Sequence, residues 1–182
     1  MSNSILDTLA ARLSTPYAMF LGLGLASSAT FTIGMASSNH MGLIPLVADS
    51  LLNKPGNAQL GTDGALRAFA WLLPRAFKWF PTSAILATLG FGAAAYTFQP
   101  SSRRPNVRPL LVGAVVGMIG INVYSKFLMF PINDKLVAES TARIASDSEI
   151  AGLIDTWVKR NVPRFLMSCA SLALGTVAML VS

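Results

Sequence analysis

Long uncharged apolar runs alternate along the chain with short charged or turn-rich stretches. The first run, about 17–38, is long enough to cross about 30 Å of hydrocarbon as a helix. It holds Gly22, Gly24, Ala26, Ser27 and Ser28, small residues that let a neighbouring helix come close. Comparable spans are predicted over about 81–98, 110–131 and 163–181. The piece MGLIPLVADSLL from Met41 is too short to cross alone and is predicted to extend the first helix, bent around Pro45. Residues 53–64 read as a turn-rich loop. Over 65–80 an amphipathic pattern puts Arg67, Trp71, Arg75 and Lys78 on one face, which suits a membrane interface. Residues 99–109 form a short stiff connection carrying Arg103, Arg104 and Arg108. Residues 132–149 read as an acidic external segment, and Ser146 with Glu149 as a capping box opening a new helix. Ile150, Leu153, Ile154, Trp157 and Val158 then give that helix an apolar stripe along the interface, with Pro163 as the break before the last span. The pattern predicts an all-α polytopic membrane protein, one domain over 1–182. Its core is a four-helix transmembrane bundle with additional interfacial amphipathic helices.

Composition agrees. The 182 residues are 53% hydrophobic and 12% charged, about half the charge fraction usual in a soluble domain. The net charge of +6, from 14 Lys and Arg against 8 Asp and Glu, reads as topology and lipid headgroups. Nucleic acid is not an expected partner, because no basic run is interleaved with stacking aromatics. The single cysteine, Cys169, lies in the last span and excludes an internal disulfide and CxxC chemistry. The N-terminal stretch lacks a signal-peptide pattern, so the first span reads as retained. Four spans place 36–80 and 132–163 on one side, and the termini with the arginine loop on the other. That loop favours cytoplasmic termini, although the other side carries more basic residues in total. Gly113 and Gly117 form a GxxxG, a motif of helix packing.

The polar positions inside this apolar frame are unevenly placed. Trp157, Asn161, Arg164 and Ser168 fall at i, i+4, i+7 and i+11, one face of a helix; Asn122, Lys126, Met129 and Asn133 share that spacing. Both stripes begin at the same membrane boundary, where polar groups are costly and a functional site is the default reading. His40 and the face bearing Trp71 gather at the same mouth. A pocket between the helices is expected there, with Trp and Phe walls and a few cationic or amide donors. It suits a flat, oily phenolic molecule delivered from the membrane, the cations stabilising a phenolate. Duller readings stand beside this one. Lys126 can snorkel to headgroups, Arg164 can pair with Asp155 or lipid phosphate, Trp71, Trp79 and Trp157 can anchor at the interface, and Asn133 can cap a turn. His40 is the sole histidine, and a lone histidine is more often structural or exposed. It is also the one side chain whose ordinary pKa suits a general base. No metal site is expected: one His and one Cys on opposite sides of the bundle make no usual zinc or iron set, and Met35, His40 and Met41 make only a weak case for cuprous copper. No P-loop, GxGxxG, GxSxG or HExxH occurs.

Two C-terminal motifs carry a family resemblance: Pro131-x-Asn133-x-x-Leu136 after one apolar span, and Trp157-x-x-x-Asn161-x-x-Arg164 opening the last. With Ile44-Pro45 after the first span and the aromatic-basic run ending at Pro81, the chain resembles the anthrone oxygenase-like small integral membrane proteins. The resemblance covers nearly the whole chain in length, span number and order. It implies a multi-pass membrane enzyme, in an endomembrane such as the endoplasmic reticulum if fungal, that oxidises an anthrone-type polyketide to the anthraquinone. Dioxygen is the implied co-substrate, with no metal or flavin cofactor. A base would remove an acidic benzylic proton, the delocalised carbanion would pass an electron to dioxygen, and the resulting peroxide would lose water. In these terms His40 is the expected base, and Arg164, Asn161 and Lys126 hold the oxyanion. Asn133 and Trp157, with Trp71 and Asn122, position the rings. The expected partners are a hydrophobic aromatic small molecule and the lipid bilayer, with homo-oligomerisation left open. The rival reading is a non-catalytic membrane accessory or a hydrophobic-ligand or quinone-binding protein. A transporter is disfavoured, since no inverted repeat or pair of broken spans is evident.

Overall fold

Pro16 opens the first uncharged run, and the Thr15 hydroxyl accepts the Ala18 N–H at 3.2 Å, so a helix starts where the sequence places one. The computed structural model describes residues 15–40, 43–52, 60–100 and 105–182. Among them are five helices and no strand: α1 (Pro16–His40), α2 (Leu43–Leu51), α3 (Gly61–Thr97), α4 (Arg108–Ala142) and α5 (Asp147–Val181). The expectations for 1–14, for most of the 53–64 loop and for Arg103 and Arg104 lie outside the described residues.

Three helices, α1, α4 and α5, are long and apolar enough to cross a membrane, which is compatible with a multi-pass membrane protein. The expected count of four spans is not confirmed. The stretch 81–97 is helical, but it is the second half of the 37-residue α3. That helix carries Arg67, Arg75 and Lys78 in its first half, and its second half is rich in Ala, Thr and Gly rather than Leu, Ile and Val.

The element boundaries read at proline also need correction. Pro81, Pro131 and Pro163 all lie inside helices, and the segment 132–149 is helical as far as Ala142. A proline leaves the carbonyl four residues earlier without its donor, here that of Phe77 for Pro81. The next two residues add side-chain bonds to the following carbonyls, Thr82 Oγ1 to Lys78 at 2.8 Å and Ser83 Oγ to Trp79 at 2.7 Å. Before Pro131 the chain widens into a π turn, Ser125–Met129, and the Phe130 N–H reaches back to the Ser125 carbonyl. Arg160 of α5 donates to the Leu128 carbonyl within that turn at 2.8 Å.

The turn between α4 and α5 is built by side chains. Arg143 takes a left-handed conformation, φ 40°, and Glu139 Oε2 accepts the Ile144 and Ala145 N–H groups, each at 2.8 Å. The capping box is present: the Ser146 N–H donates to Glu149 Oε2 at 2.8 Å, and Ser146 Oγ accepts from the Glu149 N–H. Arg143 also forms ion pairs with Asp63 and Asp147, both largely exposed and so of small energetic weight.

Two apolar cores hold the helices. In the first, α1 and α3 touch through glycine. A β-carbon on Gly90 would lie 2.7 Å from Gly24 Cα and 2.9 Å from the Phe20 carbonyl oxygen. The ring of Phe91, fully buried, fills the adjoining slot between Gly24 and Gly175. Gly117 of the GxxxG abuts Ser171 and Met167 of α5, so that motif does pack a helix pair. At this end of the bundle Tyr17 meets Phe98 at 5.2 Å, and Arg108 closes the end of α3 by donating to the Phe98 carbonyl at 2.9 Å. The second core gathers Val47, Leu66, Leu136, Ile150 and Ile154 from the opposite ends.

Gly90→Ala is expected to lower the thermal midpoint in detergent, by the equivalent of about 1–3 kcal/mol, because the obstruction is backbone and cannot rotate away. Gly22→Ala, with nothing near its β-carbon, is the matched control and is expected to leave the midpoint unchanged. Glu149 is held below its ordinary value of 4.5, first by the Ser146 backbone N–H and then by its hydroxyl. Its contribution is therefore complete above 4.5 and fades as pH falls through the lowered value. Glu149→Gln is expected to flatten the acid limb of a stability-versus-pH curve by a small amount.

Candidate functional site

Between the two cores lies a half-enclosed cavity of about 120 Å³. All five helices contribute to it, α2 through Ile44 alone. Phe31, Met35, Ser38 and Asn39 come from α1, and Phe69, Leu73, Phe77 and Phe80 from α3. Asn122, Ser125, Met129, Phe130 and Asn133 come from α4, and Trp157, Asn161 and Arg164 from α5. Three edge-to-face aromatic pairs frame it: Phe31 with Phe80, Phe69 with Trp157 and Phe77 with Phe130, at centroid distances of 5.4, 5.5 and 4.9 Å.

Two short polar links cross this apolar setting. Trp157 Nε1 donates to Asn133 Oδ1 at 2.7 Å, both residues being buried. Arg164 Nη1 donates to Asn161 Oδ1 at 2.7 Å. Arginine can only donate, so the Asn161 amide oxygen must face it and the amide nitrogen must face away. That nitrogen, Asn161 Nδ2, and Arg164 Nε are both cut off from solvent and without a partner. Such orphan donors each cost roughly 1–3 kcal/mol, and native structures carry few of them.

Five residues singled out from the sequence thus line one cavity: Asn122, Asn133, Trp157, Asn161 and Arg164. The other three are placed elsewhere, and each has a geometric reason. His40 is exposed and outside the lining, although Asn39 beside it lines the cavity. Five residues from the inward Met35 turn a helix by about 140° from its face. Lys126 is exposed, its ammonium 6.0 Å from the Phe127 ring. Ser125 and Lys126 stand roughly 100° apart around the helix, and it is Ser125, buried, that lines the cavity with Asn122, Met129 and Asn133. Trp71 is 56% exposed and stacks under the Arg75 guanidinium at 3.8 Å, on the outward basic face with Arg67 and Lys78. Arg164 pairs with Asn161 rather than Asp155, which takes Lys159 at 2.6 Å.

Phenylalanine walls were expected without particular residues being singled out, and Asn39 and Ser125 were missed as lining residues. The signal for α1 was the inward stripe Phe31, Met35, Ser38, at i, i+4 and i+7. Among the described residues no group of three or more His, Cys, Asp or Glu could hold a metal ion. Among the described residues no carboxylate and no histidine lines the cavity, and Arg164 is the one ionisable cation that does.

A family model described as anthrone oxygenase matches residues 69–174, more than half of the chain and all of the stretch that supplies the α3, α4 and α5 walls. No curated protein and no solved structure matches the chain.

The polar link between α4 and α5 has a measurable signature. Trp157→Phe strands the Asn133 amide oxygen in an apolar wall and is expected to cost about 1–3 kcal/mol in thermal or denaturant stability. The double variant Trp157→Phe/Asn133→Leu removes both partners and is expected to recover part of that loss. A double variant at least as unstable as the sum of the singles would contradict the bond's isolation.

Proposed function

The chain belongs to the anthrone oxygenase family, and from that membership we propose that it oxidises an anthrone-type aromatic to the quinone in its cavity, using dioxygen. One observation carries the reading: Asn161 and Arg164, each with a buried nitrogen that lacks an acceptor, line an aromatic-walled cavity. An anthrone is a flat ketone whose benzylic methylene loses a proton to give an anthrol oxyanion. The ring walls fit its faces, and the two donors fit an oxygen that becomes negative as the proton leaves. Fixed donors in a setting of low polarity act most strongly on charge that develops during reaction.

The steps balance without a further oxidant. Loss of the proton leaves a delocalised anion, which passes one electron to dioxygen. The radical pair combines into a carbon–oxygen bond. The resulting peroxide loses the remaining benzylic proton and, as its oxygen–oxygen bond breaks, departs as water, leaving the second carbonyl. The anthrone loses two hydrogens and gains one oxygen, and the other oxygen leaves as water. With no carboxylate or histidine in the lining, the first proton goes to water at the mouth of the cavity, and the protein's contribution is to hold the anion. Asn133 fixes the Trp157 ring as a wall, and Asn122 with Ser125 adds the polar edge of α4. In this reading α3 completes the bundle as a fourth span, with its basic aromatic face at the headgroups.

The absence of a proton-accepting side chain from the lining also favours a second reading, a site that binds a phenol or quinone without turning it over. Purified protein in detergent, given emodin anthrone under air, separates the two. Quinone absorbance and oxygen uptake are expected to rise well above the spontaneous rate, in equal molar amounts. Arg164→Gln is expected to lower the rate by about 10²–10³-fold, the scale for losing one donor to a developing oxyanion. Binding without acceleration would favour the second reading. Neither binding nor acceleration would remove both.

A further inference from the structure

The cavity of about 120 Å³ is smaller than the guest just proposed. An apolar cavity of about 150 Å³ takes benzene, so in its closed form this one holds about a single ring. Of the three edge-to-face pairs around it, two are fixed. Phe69 and Trp157 are 2% and 6% exposed, and the indole is tied to Asn133. Phe31 is 1% exposed, and Phe80 sits against Gly34. The third pair differs. Phe77 lines the cavity and is also 37% exposed, and it meets Phe130 with planes at 75°. Neither ring has a polar tie, and the pair joins α3 to α4 at the cavity's edge. The outer surface of the same stretches exposes Trp79, Phe127 and Leu128, with Lys78 and Lys126 beside them.

Resting on the reading above, we propose that Phe77 and Phe130 determine the size of aromatic guest the site accepts. Closed, they limit it to one ring beside Asn161 and Arg164. Parted, they extend it between α3 and α4 toward that outer surface, so that a fused multi-ring guest enters from the side with its oxygen end first. The pair is a selector of ring number, and it does not touch the donors that hold the oxygen.

The test uses full-length protein carrying Trp71→Phe and Trp79→Phe, which leaves Trp157, the indole in the cavity wall, as the only tryptophan. Its emission is titrated with phenol, 2-naphthol and 2-hydroxyanthracene in detergent. In Phe77→Ala and Phe130→Ala the three-ring phenol is expected to bind roughly tenfold more tightly, the scale for relieving an apolar obstruction in a pocket, with phenol itself gaining nothing. Phe77→Leu, milder for folding, is expected to fall between. An unchanged ratio of three-ring to one-ring affinity in all three variants overturns the proposal. Arg164→Gln separates it from the reading beneath. If that variant binds every phenol as well as the parent while the ring-size shift persists, the oxyanion site fails and the selector stands. If no phenol quenches Trp157 in any variant, both fall.

Discussion

Backbone meets backbone where Gly24 of α1 crosses Gly90 of α3, and these two helices share the most extensive contact among the described residues. Without side chains between them the two helices come as close as helices can. The ring of Phe91 then locks the third partner, sliding between Gly24 and Gly175 of α5. Some ten residues back along α3 and seven forward along α1, the facing residues are Phe80 and Phe31. At that level Phe80 rests against Gly34 of α1, and α4 and α5 close the open space with Asn133, Trp157, Asn161 and Arg164.

That room is lined at a cost. Interiors are close-packed, and buried donors are nearly always paired. This site departs from both rules in one place: it holds a void, and two donors on α5 lack acceptors beside it. The surrounding links are complete by contrast. Trp157 has Asn133, Arg164 has Asn161 for one of its nitrogens, and Arg160 has the Leu128 carbonyl. Unsatisfied groups amid a satisfied network mark where a fold gives up stability for another purpose.

How far the sequence reached is clearest at α4 and α5. The stripe Trp157, Asn161, Arg164 was legible because α5 runs as an unbroken α-helix there, so the count of 3.6 residues per turn holds. The stripe on α4 failed at one residue, Lys126, because i+3 and i+4 both fit a helical stripe through Asn122 and the residue facing the cavity is Ser125, at i+3. His40 drew attention through its chemistry alone, and chemistry does not say which way a side chain points. The α1 stripe of Phe31, Met35 and Ser38 does say so, and it turns His40 outward. Proline misled for a related reason. In water Pro81, Pro131 and Pro163 read as helix ends. Among apolar neighbours a backbone that left the helix would strand further polar groups, so the chain stays helical past each proline, with a wider turn before Pro131.

The position of His40 also changes where the proposed chemistry is done. With a base in the cavity, the rate would follow that base's strength and its protonation state. With only donors there, the protein acts on the acid instead, lowering the free energy of the anthrol anion until water suffices as the acceptor. The same donors then face a difficulty, since an anion held too well gives up its electron less readily. The arrangement on α5 moderates this. One Arg164 nitrogen is already committed to Asn161, which leaves a guanidinium N–H and an amide N–H for the guest, the second uncharged. Aromatic walls add no charge of their own, so the anion stays a reductant. A site built in this way needs strength in neither partner, and it places the selection of substrates in the shape of the walls rather than in the reactivity of any one side chain.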